Sequence, residues 1–170
     1  MKDVIDIYDC VAYRATNSEL AQAILALPDE SVTRRSHFFH GRYENLYVDI
    51  EQLPGLKSIL EIALEKSAQI LEVPVDNLKF GFWLNIMRQG DVTTLHSHDD
   101  DDELLSAVYY IQVPAHSGVF KLHVDREIRE IEPVAGRFMF FDPSLPHEVS
   151  EHHNAQPRIS IGINVGPIDR

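Results

Sequence analysis

From Lys79 onward the chain is a succession of short runs, FGFWLNIM, LSAVYYIQV, GVFKLHV, REIREI, GRFMFF and RISIGINV, rich in β-branched and aromatic residues. Such side chains suit a pleated, half-buried surface, and runs of this length bounded by turn residues read as strands. The breaks between them are Gly90, the run Asp99 to Asp102, Pro114 to Gly118, Val134 to Gly136 and Pro143 to Pro146. Closely spaced strands joined by polar turns predict a barrel or a two-sheet sandwich.

Residues 1–78 read differently. Thr16 and Glu19 have the spacing of a capping box, in which the hydroxyl and the carboxylate satisfy each other's free amides. The segment they open, SELAQAILAL, predicts a short helix ending before Pro28. A second helix is expected from Leu56 to Leu71, where Leu56, Ile59, Leu60, Ala63, Ser67 and Ile70 recur at helical spacing. No internal repeat and no long linker divides the chain. The expectation is one α+β domain over 1–170, mainly β, with a helical part at 1–78 supporting a core at 79–170.

The net charge of −12 works against nucleic acid or an anionic membrane as partner, since both would be repelled. Cys10 is the only cysteine, so neither an intrachain disulfide nor a thiolate metal cluster is available. Asp3, Asp6 and Asp9 interrupt the apolar run at the N-terminus, and no stretch is apolar for long enough to span a bilayer. A cytoplasmic protein is expected.

The strongest chemical signal is His96-Ser97-His98. On a strand, residues two apart share a face, so both imidazoles can converge on one ion. A third ligand must come from a distant strand, and His147 in SLPHEV is placed to provide it. Neutral imidazole suits iron, copper, zinc and nickel alike, so the ligands alone do not select the metal. His152 and His153 lie in the polar stretch EHHNAQ and read as solvent-exposed. Trp83 and the aromatics Phe138, Phe140 and Phe141 read as core.

The span from Phe82 to Val165 resembles the iron(II)- and 2-oxoglutarate-dependent oxygenases, and more narrowly a small bacterial and phage group of them. The resemblance is carried in order by Trp83–Asn85, Gly90, the His-x-His at 96–98, LSAVYYIQVP, the Ser-Gly at 117–118, PVAGRFMFFDPSLPHEV and PRISIGIN. It implies a double-stranded β-helix, the cupin-like jelly roll, with the N-terminal helices packed on one face. It also implies an Fe(II) cofactor, 2-oxoglutarate as cosubstrate and O2 as co-reactant, with hydroxylation of a small molecule or a protein side chain as the outcome. His96 and His147 match the family's histidine ligands. Arg158 matches the basic residue that pairs with the distal carboxylate of 2-oxoglutarate, which a planar guanidinium can engage bidentately. Tyr110 matches a tyrosine that donates to the same carboxylate, Ser160 is placed to add a hydrogen bond, and Asn85 to face the interior near the cosubstrate.

One position departs from the pattern. The family supplies a carboxylate where this chain has His98. Either His98 is itself the second ligand, in a three-histidine site, or the frame shifts and Asp100 completes the set. The first keeps the spacing to Gly90 and Tyr110. Two other functions fit the residues: a three-histidine, cupin-like metalloenzyme that uses no 2-oxoglutarate, and a non-catalytic metal-binding module. Exposed strand edges leave room for a homodimer.

Overall fold

The computed structural model describes residues 5–10, 13–98 and 102–168. Eleven strands and two α-helices are assigned among them. Seven strands form the larger antiparallel sheet, in the order β1 (Ile5–Asp9), β9 (Arg137–Phe141), β6 (Leu105–Gln112), β11 (Arg158–Pro167), β4 (Leu78–Met87), β3 (Arg42–Val48) and β2 (Val32–Phe39). The smaller sheet runs β5 (Thr93–His96), β10 (His147–Val149), β7 (Phe120–Val124) and β8 (Glu127–Ile131). Two antiparallel sheets facing each other give the double-stranded β-helix expected from the sequence.

Alternation along β11 explains how one strand serves two interiors. Ile159, Ile161, Ile163 and Val165 point to the outer core, where they meet Leu20 and Ile24 of α1 (Arg14–Leu25) and Ile59, Leu60 and Ala63 of α2 (Leu56–Leu71). Arg158, Ser160, Gly162 and Asn164 point the other way, into the space between the sheets. Strand β4 repeats the arrangement, with Leu84 on the helix side and Trp83, Asn85 and Met87 on the inner side. A second, smaller core of Met87, Phe120, Leu122, Met139, Phe141, Leu145 and Val149 holds the two sheets together.

The N-terminal part is not simply helical. It contains the two expected helices, and also β1, β2 and β3, which form both edges of the larger sheet. β2 and β3 evade a hydrophobic-pattern reading because β2 has no buried residue and β3 mixes Glu44 and Asn45 into its buried positions. Their turn is formed by His40 and Gly41, both at positive φ, the geometry that matches the twist of a two-residue hairpin. The capping box also does not form. The first helix begins at Arg14, two residues before Thr16, and its N-cap Tyr13 makes no side-chain cap bond. Thr16 therefore sits inside the first turn rather than ahead of it. The second helix runs from Leu56 to Leu71 as its spacing predicts. Among the described residues no helix is long and apolar enough to cross a membrane.

Candidate metal centre

His96 closes β5 and His147 opens β10, and these two residues are direct cross-strand partners. His98 lies just past the end of β5, where its backbone N–H donates to Pro143 O at 2.8 Å. The three side chains each bring one ring nitrogen within 4.8 Å of the others. Ring centroids are separated by 4.3 Å for His96 and His147, 4.8 Å for His96 and His98, and 5.0 Å for His98 and His147. The pair thus converges even though only the first member is on a strand. Asp100, the alternative ligand, lies outside the described residues.

Two of the rings are fixed in the tautomer a metal needs. The Nδ1–H of His96 donates to Thr94 O at 2.7 Å, and that of His147 donates to Leu145 O at 3.1 Å. A carbonyl can only accept, so Nδ1 carries the proton and Nε2 keeps its lone pair. His147 is buried, with Phe120 stacked at 5.4 Å and Phe141 edge-on at 4.8 Å. Burial first, then the neighbouring His96, lowers its pKa from 6.5 to about 3. The unfolded chain takes up this proton as pH falls through 6.5, whereas the folded chain resists until about 3. Metal-free protein is therefore expected to lose on the order of a few kcal/mol across that window, with no further loss from this residue below it. Urea-denaturation midpoints measured through the window check this, and His147→Gln should flatten the slope.

The histidines line a narrow cavity between the sheets. Arg158, Ser160 and Asn85 line the same cavity, so the structure brings these four expected features together. Arg158 is 1% exposed, and its Nη1 donates to Ser117 O and Gly118 O, each at 3.0 Å. Its Nε has no partner, and among the described residues no carboxylate pairs with it. Tyr110 is fully buried beneath the guanidinium, 5.1 Å from ring centroid to Arg158 Cζ, and its hydroxyl makes no hydrogen bond of regular geometry among the described residues. Burial raises the Tyr110 pKa, against the pull of Arg158, and lowers that of Arg158. Asn85 differs from expectation in one respect. Its Oδ1 accepts from both Arg42 Nη atoms at 3.4 Å and its Nδ2 donates to Thr93 Oγ1 at 3.3 Å, so its amide is already engaged.

Several residues of the site were not legible in advance. Trp83, read as core, is a cavity wall lying against Gly162, where an added Cβ would come within 2.2 Å of the indole. Gly162→Ala is expected to push the indole aside and to cost about 1–3 kcal/mol. Because Trp83 is the only tryptophan, intrinsic fluorescence reports that displacement directly. Asn45 also lines the cavity, and its Nδ2 donates to Nδ1 of His37, whose ring lies 5.7 Å from that of His96. His152, expected to be exposed, is fully buried and donates through Nε2 to Gln156 O at 2.7 Å. The polar stretch around it gave no signal of that burial, whereas His153 is exposed as expected.

The donor set suits a divalent transition ion, with three neutral nitrogens gathered at one point and the cavity open before them. The buried guanidinium suits an anion, since an unpaired charge and an unpaired phenol beside it are costly to keep out of water.

Comparison with known proteins agrees with this chemistry. Residues 82–166 match the sequence profile of the 2OG-Fe(II) oxygenase superfamily. No curated protein matches by sequence. Among solved structures, a Pseudomonas putida prolyl-4-hydroxylase superposes with a TM-score of 0.72 at 19% identity, covering 99% of this chain and 95% of its own. A Trichoplax adhaerens prolyl hydroxylase, in complex with a hypoxia inducible factor peptide fragment, gives 0.71 at 14%, covering 96% and 83%. The non-heme alpha ketoglutarate dependent carbocyclase SnoK from nogalamycin biosynthesis gives 0.74 at 11%, covering 97% and 80%. At these identities the likeness is one of fold.

Proposed function

We propose, for a chain that belongs to the 2OG-Fe(II) oxygenase superfamily, that His96, His98 and His147 hold its Fe(II) and that Arg158 anchors its 2-oxoglutarate. The protein is an iron- and 2-oxoglutarate-dependent oxidoreductase, and its substrate is a small molecule or a peptide. The observation that carries the site assignment is that three converging imidazoles and a buried guanidinium, which no carboxylate pairs with among the described residues, line one cavity.

Each residue has a definable task. The Thr94 and Leu145 carbonyls hold the imidazole protons of His96 and His147 on Nδ1, leaving Nε2 as the donor. Ser117 O and Gly118 O fix one arm of the Arg158 guanidinium, so its remaining N–H groups are oriented before any anion arrives. The Tyr110 hydroxyl, beside Arg158 and without a hydrogen bond of regular geometry among the described residues, is a second donor for the same carboxylate. Ser160, two residues beyond Arg158 on the same face, contributes a hydroxyl to the cavity wall. Phe120, Phe141, Met87 and Val149 exclude water around the histidines. Bound Fe(II) with its keto acid supplies the oxidising chemistry, using O2 and releasing succinate and carbon dioxide.

Residues 1–170 act in this reading as one domain, because strands from both halves share the larger sheet. The cupin-like alternative without 2-oxoglutarate calls for Arg158 to face away from the histidines, and Arg158 lines their cavity. The test is direct. Purified protein with Fe(II), O2 and ascorbate should convert 2-oxoglutarate to succinate and carbon dioxide slowly even without a primary substrate, the ascorbate giving the two electrons that the substrate would otherwise supply. Failure to bind 2-oxoglutarate with iron in place would overturn the assignment.

A further inference from the structure

We propose that Glu44 is a positioning residue for the metal centre, fixing the His96 ring through Thr94 and supplying the negative charge that three imidazoles lack. This rests on the assignment of His96 as a ligand.

Glu44 lies on β3 in the larger sheet, at 1% exposure, yet its hydrogen bonds reach to β5 in the smaller one. Its Oε1 accepts from the Thr94 N–H at 2.9 Å and its Oε2 from the Thr94 hydroxyl at 3.4 Å. The carbonyl of the same Thr94 accepts the Nδ1–H of His96 at 2.7 Å. One residue therefore has a carboxylate on its N–H and hydroxyl and the imidazole on its carbonyl, so holding Thr94 in place holds the acceptor that orients the His96 ring.

The charge count around Glu44 sharpens the point. Arg42, two residues earlier on β3, faces Asp91 at 3.6 Å and donates to Val92 O at 3.0 Å and Ile86 O at 3.3 Å. Arg42 stands against both Asp91 and Glu44, one guanidinium for two carboxylates, so these three side chains together carry one negative charge in excess. A strand tie needs only a neutral acceptor, and burying a carboxylate is costly. The excess charge instead is tied through Thr94 to a donor set of three neutral nitrogens, where a 2-His-1-carboxylate site would carry one negative charge among its ligands. Glu44 places that charge one residue behind the ligand.

The experiment compares wild type, Glu44→Gln and Thr94→Val, reading Co(II) affinity by calorimetry, the Co(II) absorption spectrum and the Fe(III)/Fe(II) midpoint potential. Glu44→Gln keeps an acceptor for the Thr94 N–H but removes the charge. It should weaken Co(II) binding by on the order of tenfold, alter the spectrum and raise the potential, with little change in melting of the metal-free protein. Thr94→Val cuts one of the two bonds and should shift affinity and potential in the same direction by less. It also serves as the test if Glu44→Gln does not fold. Wild-type affinity, spectrum and potential in the variants would overturn the proposal, as would weaker binding that tracks lost stability at unchanged potential. Absence of Co(II) binding by the wild type would instead overturn the metal-centre assignment on which the proposal rests.

Discussion

His147→Ala should leave a folded protein that retains almost no iron and forms no succinate above background. The loss of a partner one bond removed from a metal typically costs 10- to 100-fold in affinity, so loss of one of three ligands is expected to exceed about 100-fold. The effect is large here because no described carboxylate stands close enough to the three-imidazole cluster to replace it. The ring is also packed between Phe120 and Phe141, so the substitution opens a void costing about 2–4 kcal/mol. Iron content after gel filtration, read beside a thermal melt of chelator-treated protein, separates the two effects. Near-stoichiometric iron in the variant would remove His147 from the site.

Arg158→Met should do the reverse, keeping the iron and losing the keto acid. Truncating one partner of a buried, hydrogen-bonded charge pair costs about 2–5 kcal/mol, or about 30- to 4,000-fold in the dissociation constant for 2-oxoglutarate. Metal-free stability should hold or rise, because in the absence of an anion the wild type buries a guanidinium whose Nε, like the adjacent Tyr110 hydroxyl, makes no hydrogen bond of regular geometry among the described residues. Titration of 2-oxoglutarate into iron-loaded protein, followed by spectroscopy, measures the first effect and a melting curve the second. Arg158→Lys should recover only part of the affinity, since an ammonium keeps the charge but not the fork that Ser117 O and Gly118 O orient.

Most strands of the second half were legible because both their faces are buried or half-buried, which forces apolar and aromatic residues into short runs; β8 is exposed along four of its five residues and was legible only from its isoleucines and short length. The three histidines were legible because two lie two positions apart and the third follows a turn bounded by Pro143 and Pro146. The edges of the larger sheet were not legible. β2 is solvated along most of its length, so selection for a hydrophobic face is weak there and the sequence carries little alternation. The same weakness hid Glu44, whose meaning depends on a contact 50 positions away with Thr94 rather than on any neighbour in the chain. Trp83 was misjudged for another reason. Composition identifies a large aromatic as buried but cannot say whether it faces packed side chains or a cavity, and only the glycine opposite it on β11 settles that.

The histidines and the arginine belong to different sheets, the former on and beside β5 and β10, the latter on β11. Their separation is therefore a gauge set by what is wedged between the layers, chiefly Met87, Phe120, Met139 and Phe141. On the proposed assignment of Arg158 and the histidines, a diacid fits when its two ends match that gauge. Trimming a wedge such as Phe141 would let the layers settle closer and shift preference toward shorter keto diacids, with every polar group of the pocket untouched. In this architecture, chain-length selectivity is a property of the apolar filling as much as of the charges it holds apart.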